Sequence, residues 1–282
     1  MKNPLLLLLA LVALPVWALP EPPMTLEEAC AKAELIVVGT LDVHTTVEKP
    51  SEVEAKACPW SGRIGRIAVK ETLYGLSPKD GLNVWQGWLS PSDQPPPPNY
   101  VPTPSEGKAG QEWIWCLSKA PAGSVGALAH PGIWMVNHTQ MVIATDLKAE
   151  VEKVVKSRVE VPFQLLRASR SFLTTMDGGP RKEKPSAEFE ACDVLTAAGP
   201  CAYPFVKLLL AEKNPVARAW GCRAAGASGS PEFVGPLRAL LEDKTKVTAG
   251  GGCKRADLPL GALAQQALEA IRRNPRPSVP GS

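Results

Sequence analysis

The residues that most often carry catalysis are sparse in this chain of 282 residues. Its three histidines, His44, His130 and His138, belong to no metal-ligand motif of defined spacing. The nearest serine cluster, at 226–230, has the composition of a turn that ends one helix and begins the next. The sequence therefore predicts a protein that is not an enzyme, with no catalytic residues, no metal site and no cofactor.

Tryptophan is the aromatic residue that could form a binding surface, and most tryptophans lie in strand-like segments of the first half. Trp113 and Trp115 are two residues apart, so on a strand they share one face. Aromatic rows on small barrels can stack sugars or bases, although such residues more often fill a small core. The candidate platform consists of Trp85, Trp88, Trp113 and Trp115.

A run of glycines followed by two cations forms a candidate anion site before the last helix. Consecutive glycines near a helix N-terminus can turn their N–H groups toward an anion. The alternative is a flexible loop held by a disulfide of Cys253. The residues of this candidate nest are Gly250, Gly251, Gly252, Lys254 and Arg255.

Seven cysteines predict disulfides if the chain is exported, because oxidising compartments let disulfides persist. In the first half, Cys58 is expected to pair with Cys116, since Cys30 has helical spacing with Leu26 and Ala33 and suits a small buried hydrophobe. Four later cysteines leave three possible connectivities open. These are Cys192, Cys201, Cys222 and Cys253.

The N-terminus predicts export. Lys2 precedes an apolar run at 5–12, and Val16-Trp17-Ala18 is a small-x-small cleavage pattern, so residues 1–18 are expected to be a signal peptide cut between Ala18 and Leu19. An uncleaved anchor is the alternative, but the run is shorter than the roughly 20 residues that span a bilayer. We expect a secreted or periplasmic protein with no membrane span in its mature form.

The formal net charge of +3 is too near neutral for nucleic-acid binding through phosphate neutralisation, so nucleic acid is not an expected partner.

The elements of the first half predict a small antiparallel barrel at 19–146. Thr25 and Glu28 form a capping-box pattern that begins a short helix. A proline-rich loop at 90–104 must be extended, either as an exposed spacer or as a docking segment for an aromatic groove. The predicted strands lie at 35–41, 63–73, 82–88, 112–118 and 140–144.

The second half has helical periodicity and an internal repeat. Two connecting helices, the second including Phe172, and a linker are predicted at 147–186. The segments 199–210 and 230–241, 31 residues apart, each open with proline and carry apolar residues at helical spacing. A second helix follows each one, if the insertion 244–257 is looped out. Residues 274–282 read as a flexible tail.

The repeated segment resembles the HEAT-repeat family, whose bacterial members have a proline-led first helix ending in Leu-Leu and a second helix with Val-x-Arg and alanines. The resemblance covers 187–273 and implies stacked helical hairpins with an extended surface for a protein partner. A stack of helical hairpins usually needs about three repeat units to be stable. The residues that carry it are Pro200, Leu209, Leu210, Val216, Arg218 and Ala224.

The segments 26–39, 69–75 and 110–117 are similar to exported bacterial domains that look related to the OB-like barrel of netrin and tissue-metalloproteinase-inhibitor modules. Such inhibitors act through an N-terminal cysteine that chelates the protease zinc. Here the expected mature end is Leu19 and the first cysteine is Cys30, so an inhibitor of this kind would need an altered mechanism.

These observations predict an α+β protein of two domains, a small antiparallel OB-like β-barrel followed by an α-helical HEAT-like hairpin stack. The expected function is that of an exported, non-catalytic interaction module whose partner is another exported protein. Two alternatives remain open. One is a glycan-binding or cell-wall-binding protein that uses the tryptophan face of the barrel, and the other is a protease inhibitor of TIMP-like fold.

Overall fold

The computed structural model describes residues 24–47, 61–78, 81–89, 110–120, 132–136, 141–173, 186–251 and 254–276. In these ranges the chain is a mixed α+β structure with a closed five-stranded β-barrel and seven α-helices, which confirms the predicted class at this level. The chain divides into two compact units. The first contains the described residues of 24–33, 39–68 and 81–144, and the second those of 34–38, 69–78 and 145–276.

Six strands form the larger sheet. They are β1 (Leu35–Val47), β2 (Ser61–Tyr74), β3 (Leu82–Leu89), β4 (Glu112–Lys119), β5 (Trp134–Met135) and β6 (Val142–Ala144). Their order is β1-β2-β3-β5-β4-β6, and a further pairing joins β1 with β4. Strands β1 to β5 therefore form the closed barrel, and β6 pairs with β4. Strand β4 is antiparallel to both β5 and β6, but β3 and β5 are parallel, with Val84 opposite Trp134. The sequence predicted an antiparallel barrel. The parallel pairing of β3 with β5 shows that this prediction is wrong for one pair of strands.

Helix α1 (Leu26–Lys32) begins at the predicted capping box. The backbone N–H of Glu28 donates to Thr25 Oγ1 at 3.1 Å, and the backbone N–H of Thr25 donates to Glu28 Oε2 at 2.9 Å. The helix packs on β4, and Ser118 Oγ donates to the carbonyl oxygen of Lys32 at 3.4 Å. Because the capping box satisfies N–H groups that a first turn leaves open, it fixes where this short helix starts.

Six helices lie in the second unit, and they pack in two rows. Helix α2 packs against α3, α4 against α5, and α6 against α7. Helices α2, α4 and α6 are neighbours in one row, and α3, α5 and α7 are neighbours in the other. Their bounds are α2 (Lys148–Ala168), α3 (Ala187–Ala197), α4 (Tyr203–Leu210), α5 (Pro215–Ser228), α6 (Val234–Ala239) and α7 (Leu260–Arg273).

Two 3-10 turns lead into α4 and α6. They span Gly199–Ala202 and Pro231–Phe233, and each carries a proline in its first turn. This position suits proline because the first N–H groups of a helix have no partner within it. The proline-led starts predicted from the repeat are therefore confirmed.

Three short strands make a second sheet in the helical unit. They are β7 (Phe172–Leu173), β8 (Lys246–Gly251) and β9 (Lys254–Pro259), in the order β7-β8-β9. The predicted insertion is thus mostly a β-hairpin, which pairs in parallel with β7. The prediction of a second connecting helix is also wrong, because α2 continues through Pro162 to Ala168 and Phe172 lies in a strand.

Several predictions fall on residues outside the described ranges. These are the signal peptide 1–18, the proline-rich loop 90–104, His130, His138, Cys58, Gly252, Cys253 and 277–282 of the tail. Across the described ranges, none of the helices combines the length and the apolar character that crossing a membrane requires.

Candidate binding groove

The tryptophans of the candidate platform lie in the barrel unit. Trp115 is fully buried, and its indole N–H donates to the carbonyl oxygen of Gly39 at 2.8 Å. Trp85 is 8% exposed, Trp113 is half-buried, and the side chain of Trp88 lies outside the described part of the structure. Since stacking on a sugar or base needs an open ring face, the platform prediction is wrong for Trp85 and Trp115.

The glycines of the candidate nest lie in strand β8. Gly250 is opposite Arg255, and Gly251 is opposite Lys254, in an antiparallel ladder. A nest requires successive N–H groups in an alternating turn conformation, whereas a ladder holds the backbone extended. The structure therefore shows a hairpin here in place of the predicted nest.

Three cysteines of the second unit are thiols. Cys192, Cys201 and Cys222 form no disulfide in the described structure, so the predicted bridges among them are wrong. Burial raises the pKa of each thiol to about 12, because a thiolate loses hydration in an apolar site. Cys192 and Cys222 pack as small buried groups, and Cys201 is half-buried. In the first unit, Cys30 and Cys116 are both buried.

Among the described residues, His, Cys, Asp and Glu form no group of three or more that could hold a metal ion. The side chain of His44 lies outside this description, as do His130 and His138.

A groove of about 220 Å³ with both apolar and polar lining lies between α5 and α7. The two helices approach closely here, since a Cβ atom added to Gly226 would lie 3.0 Å from the Cα of Ala267. Most of the lining side chains are apolar, and two of them, Arg223 and Gln266, are polar. The groove is lined by Phe172, Ala219, Cys222, Arg223, Gly226, Ala227, Leu263, Gln266, Ala267 and Ala270.

A cluster of aromatic rings backs the groove. Trp220 contacts both Phe172 and Phe189 edge-on, with ring centroids 5.0 Å and 5.4 Å away. Its indole N–H donates to the carbonyl oxygen of Ser171 at 3.0 Å. Because Trp220 is fully buried and hydrogen-bonded, it fixes the positions of the rings on either side of it.

Arg223 provides the charge of the groove. Its guanidinium carbon lies 4.4 Å from the ring centroid of Phe189, and the residue is half-buried. Within the described part of the chain Arg223 makes no ion pair. A guanidinium stacked on a ring presents its donors at its edge. One of them interacts with the Cys192 sulfur, and the others are available to other groups. Gln266, on α7, is exposed and offers an amide.

A second cavity, of about 260 Å³, lies between the end of β2 and helix α2. Its carboxylates are already paired, since Lys148 Nζ lies 2.6 Å from Glu71 Oε2 and 3.5 Å from Glu152 Oε1. Its thiol, Cys201, donates to the carbonyl oxygen of Ala198 at 3.1 Å and is kept protonated by burial. Its remaining cation, Lys156, is exposed, so this cavity has no charged group held against a ring as Arg223 is in the groove between α5 and α7.

Neither Arg223 nor Gln266 was among the site residues predicted from the sequence. Only Arg223 stands out in the sequence, as the one cation of the alanine-rich and glycine-rich segment 219–227. The repeat predicts that this segment and residues 260–271 are second helices of successive hairpins, but nothing in the sequence identifies which of their side chains face each other.

Comparison with known proteins adds no functional information. No protein-family model, no curated protein and no solved structure matches this chain. The HEAT-like and inhibitor-like resemblances of the sequence therefore stay predictions, and the groove has to be interpreted from its own chemistry.

Proposed function

We propose that the protein is an exported, non-catalytic interaction module, and that its helical unit is a HEAT-like stack of three hairpins. The three helix pairs α2–α3, α4–α5 and α6–α7 support this, as does their arrangement in two rows. Three units agree with the number that a helical stack usually needs to bury its apolar faces. The row of α3, α5 and α7 contains the groove.

Ion pairs between successive hairpins support a rigid binding surface. Lys207, on α4, lies 2.7 Å from Glu232, in the turn before α6. Arg218, on α5, lies 3.1 Å from Asp243, which follows α6. A surface held in one conformation loses little entropy when it binds a partner.

The observation that carries the proposal is the groove between α5 and α7. It combines apolar walls with a stacked guanidinium and an exposed amide, and helices of the same row form both of its sides. Grooves with apolar walls and a few polar groups are the usual sites at which segments of partner proteins bind. Because the predicted signal peptide directs the chain out of the cytoplasm, the proposed partner is another exported protein.

Site-specific photo-crosslinking tests this function. A photoreactive phenylalanine analogue is placed at Ala227, an exposed residue that lines the groove, and cells are irradiated before the protein is purified. We expect a defined crosslinked partner from position 227. The matched control carries the analogue at Ala168, which is exposed at the end of α2 and is not part of the groove.

A second substitution gives an independent measurement. Ala227→Trp fills the mouth of the groove without entering the core, and it should abolish the crosslink that a probe at Ala270 gives. The same substitution at Ala168 should leave that crosslink unchanged. Equal crosslinking from 227 and 168, or equal effects of the two tryptophans, would refute the proposed interaction surface.

A further inference from the structure

The charge of the groove indicates what kind of group it binds. All residues that line the groove lie in the described structure, and none of them is acidic. The one ionised side chain among them is that of Arg223. This guanidinium is held by the ring of Phe189 and is not neutralised by a carboxylate in the described part of the chain. A partly desolvated cation of this kind is complemented by an anion, and its planar fork fits a carboxylate best.

The helices restrict the source of that carboxylate. A C-terminal carboxylate is usually captured by several backbone N–H groups that point at it. The groove-lining residues of α5 and α7 lie within helices, where backbone N–H groups donate to carbonyl oxygens one turn earlier. The only donors left to a ligand are side chains, which suits a single acidic side chain in the middle of a segment.

We infer that the groove binds a peptide segment of the partner that carries an aspartate or glutamate flanked by small apolar residues. The carboxylate bonds to the edge of Arg223, the amide of Gln266 donates from the other side, and the flanking residues contact Leu263 and Ala267. This inference rests on the proposed function, and it names the chemistry of the partner segment.

Peptide titration of the isotope-labelled protein tests the inference. The probes are N-acetyl-Ala-Glu-Ala amide, the neutral N-acetyl-Ala-Gln-Ala amide, and N-acetyl-Ala-Ala-Ala with a free C-terminal carboxylate. We expect the glutamate peptide to shift the backbone amide resonances of Ala227 and Gln266, with an affinity about tenfold or more above that of either other peptide. Equal binding of all three, or tighter binding of the free C-terminus, overturns it.

Variants at two arginines separate a specific contact from general electrostatics. Arg223→Gln should weaken binding of the glutamate peptide about tenfold, and Arg223→Lys should weaken it nearly as much, because lysine lacks the planar fork. Arg272→Gln removes an exposed charge of α7 that does not line the groove, and it should have little effect. Equal losses at 223 and 272 would overturn the inference.

The two proposals fail in different ways. If no peptide binds while Ala227→Trp still abolishes the partner crosslink, the carboxylate inference is wrong and the interaction surface stands. If the glutamate peptide binds at Arg223 while no partner crosslinks from 227, the groove chemistry is correct and the proposed function is wrong.

Discussion

The indole N–H of Trp115 donates a hydrogen bond to the carbonyl oxygen of Gly39, 2.8 Å away inside the barrel. Trp115 is fully buried on β4, and Gly39 lies on β1, the two strands whose pairing closes the barrel. Gly39 also allows the backbone of Ala68 on β2 to approach closely, since a Cβ atom at position 39 would lie 2.4 Å from the carbonyl oxygen of Ala68. The tryptophan is thus part of the closure of the barrel and not of a binding surface.

Replacing Trp115 with phenylalanine should destabilise the protein by about 2–4 kcal/mol. The change leaves the Gly39 carbonyl without this donor and opens a small cavity, and both effects are costly in a core. Urea unfolding at neutral pH measures the loss. Trp134→Phe is the matched control, because it removes the same atoms from a residue that is 9% exposed and has no hydrogen bond from its indole in the described structure. Equal losses would show that the Gly39 bond contributes nothing.

The role of Trp115 could not be predicted from its spacing with Trp113. Alternation separates core from surface only when one face of a strand is exposed. On β4 the five consecutive residues from 114 to 118 are all buried, so both faces are covered. The positions of β1 to β4 and of β6, and the capping box at Thr25, were predictable because they depend on local patterns, whereas the two-residue strand β5 was not among the predicted strands. The parallel pairing of β3 with β5 was not, since it joins segments about 50 residues apart.

The groove was beyond sequence reasoning for a similar reason. Proline-led starts at 200 and 231 mark the helices of the repeat, and both were predicted. The site depends on which helices become neighbours, and the hairpin of β8 and β9 separates α6 from α7 in the sequence. The glycines and cations of that hairpin looked like an anion site because their composition suits a nest, whereas pairing across the hairpin held them extended.

Gly199 should be among the least replaceable residues of the helical unit. Its φ is +69°, and a Cβ atom there would lie 2.3 Å from the carbonyl oxygen of Gly75. The two segments are joined by a hydrogen bond from the Gly75 N–H to the Ala198 carbonyl oxygen at 2.9 Å. Gly199→Ala should therefore cost about 3 kcal/mol or more, from backbone strain and a clash with rigid backbone.

Gly235 provides the control for that substitution. It lies in α6, where an added Cβ atom would have no heavy atom within 4 Å apart from its chain neighbours, of which Pro236 is one. Gly235→Ala should change the free energy of unfolding by less than about 1 kcal/mol, because the higher helix propensity of alanine is opposed by crowding of its Cβ against the Pro236 ring. Thermal unfolding of both variants tests the pair. Similar melting temperatures for Gly199→Ala and the parent would contradict the described contact.

Two buried thiols predict a loss of stability at alkaline pH. The pKa of Cys192 and Cys222 is about 12 in the folded protein, against an ordinary value of 9.0. Because folding favours the protonated form, their stabilisation is complete below pH 9 and is lost as the pH rises from 9 toward 12. Each thiol should lower the free energy of unfolding by about 1 kcal/mol per pH unit in that window.

The double variant Cys192→Ala, Cys222→Ala isolates this effect from lysine and tyrosine titration. It is expected to be less stable than the parent at pH 7, because it loses packing, but its stability should fall less steeply above pH 9. Urea unfolding at several pH values between 8 and 11 gives both curves. If the curves run parallel, ionisation of these thiols is not coupled to unfolding.

Arg218 should contribute more to stability than the exposed arginines. Its Nη2 lies 3.1 Å from Asp243 Oδ2, and its Nη1 donates to the carbonyl oxygens of Glu212 at 2.8 Å and Lys213 at 3.2 Å. The side chains of the pair are only 16% and 22% exposed. Arg218→Gln should cost about 2–3 kcal/mol, because partly buried carbonyl and carboxylate oxygens lose a charged donor.

Unfolding measurements at acid pH distinguish the contribution of the Arg218–Asp243 ion pair to stability from that of the hydrogen bonds between Arg218 and carbonyl oxygens. Hydrogen bonds from Thr245 and the nearby Arg218 guanidinium lower the pKa of Asp243 below 3.8, so its stabilisation is present above that pH and is lost as the pH falls further. The loss of stability on acidification from pH 5 to pH 2 should therefore be smaller in Arg218→Gln than in the parent.

Arg167→Gln is the control at pH 7. It removes an ion pair from a side chain that is 51% exposed, and it should cost less than about 1 kcal/mol. Equal costs for the two variants would mean that Arg218 acts only as a surface charge.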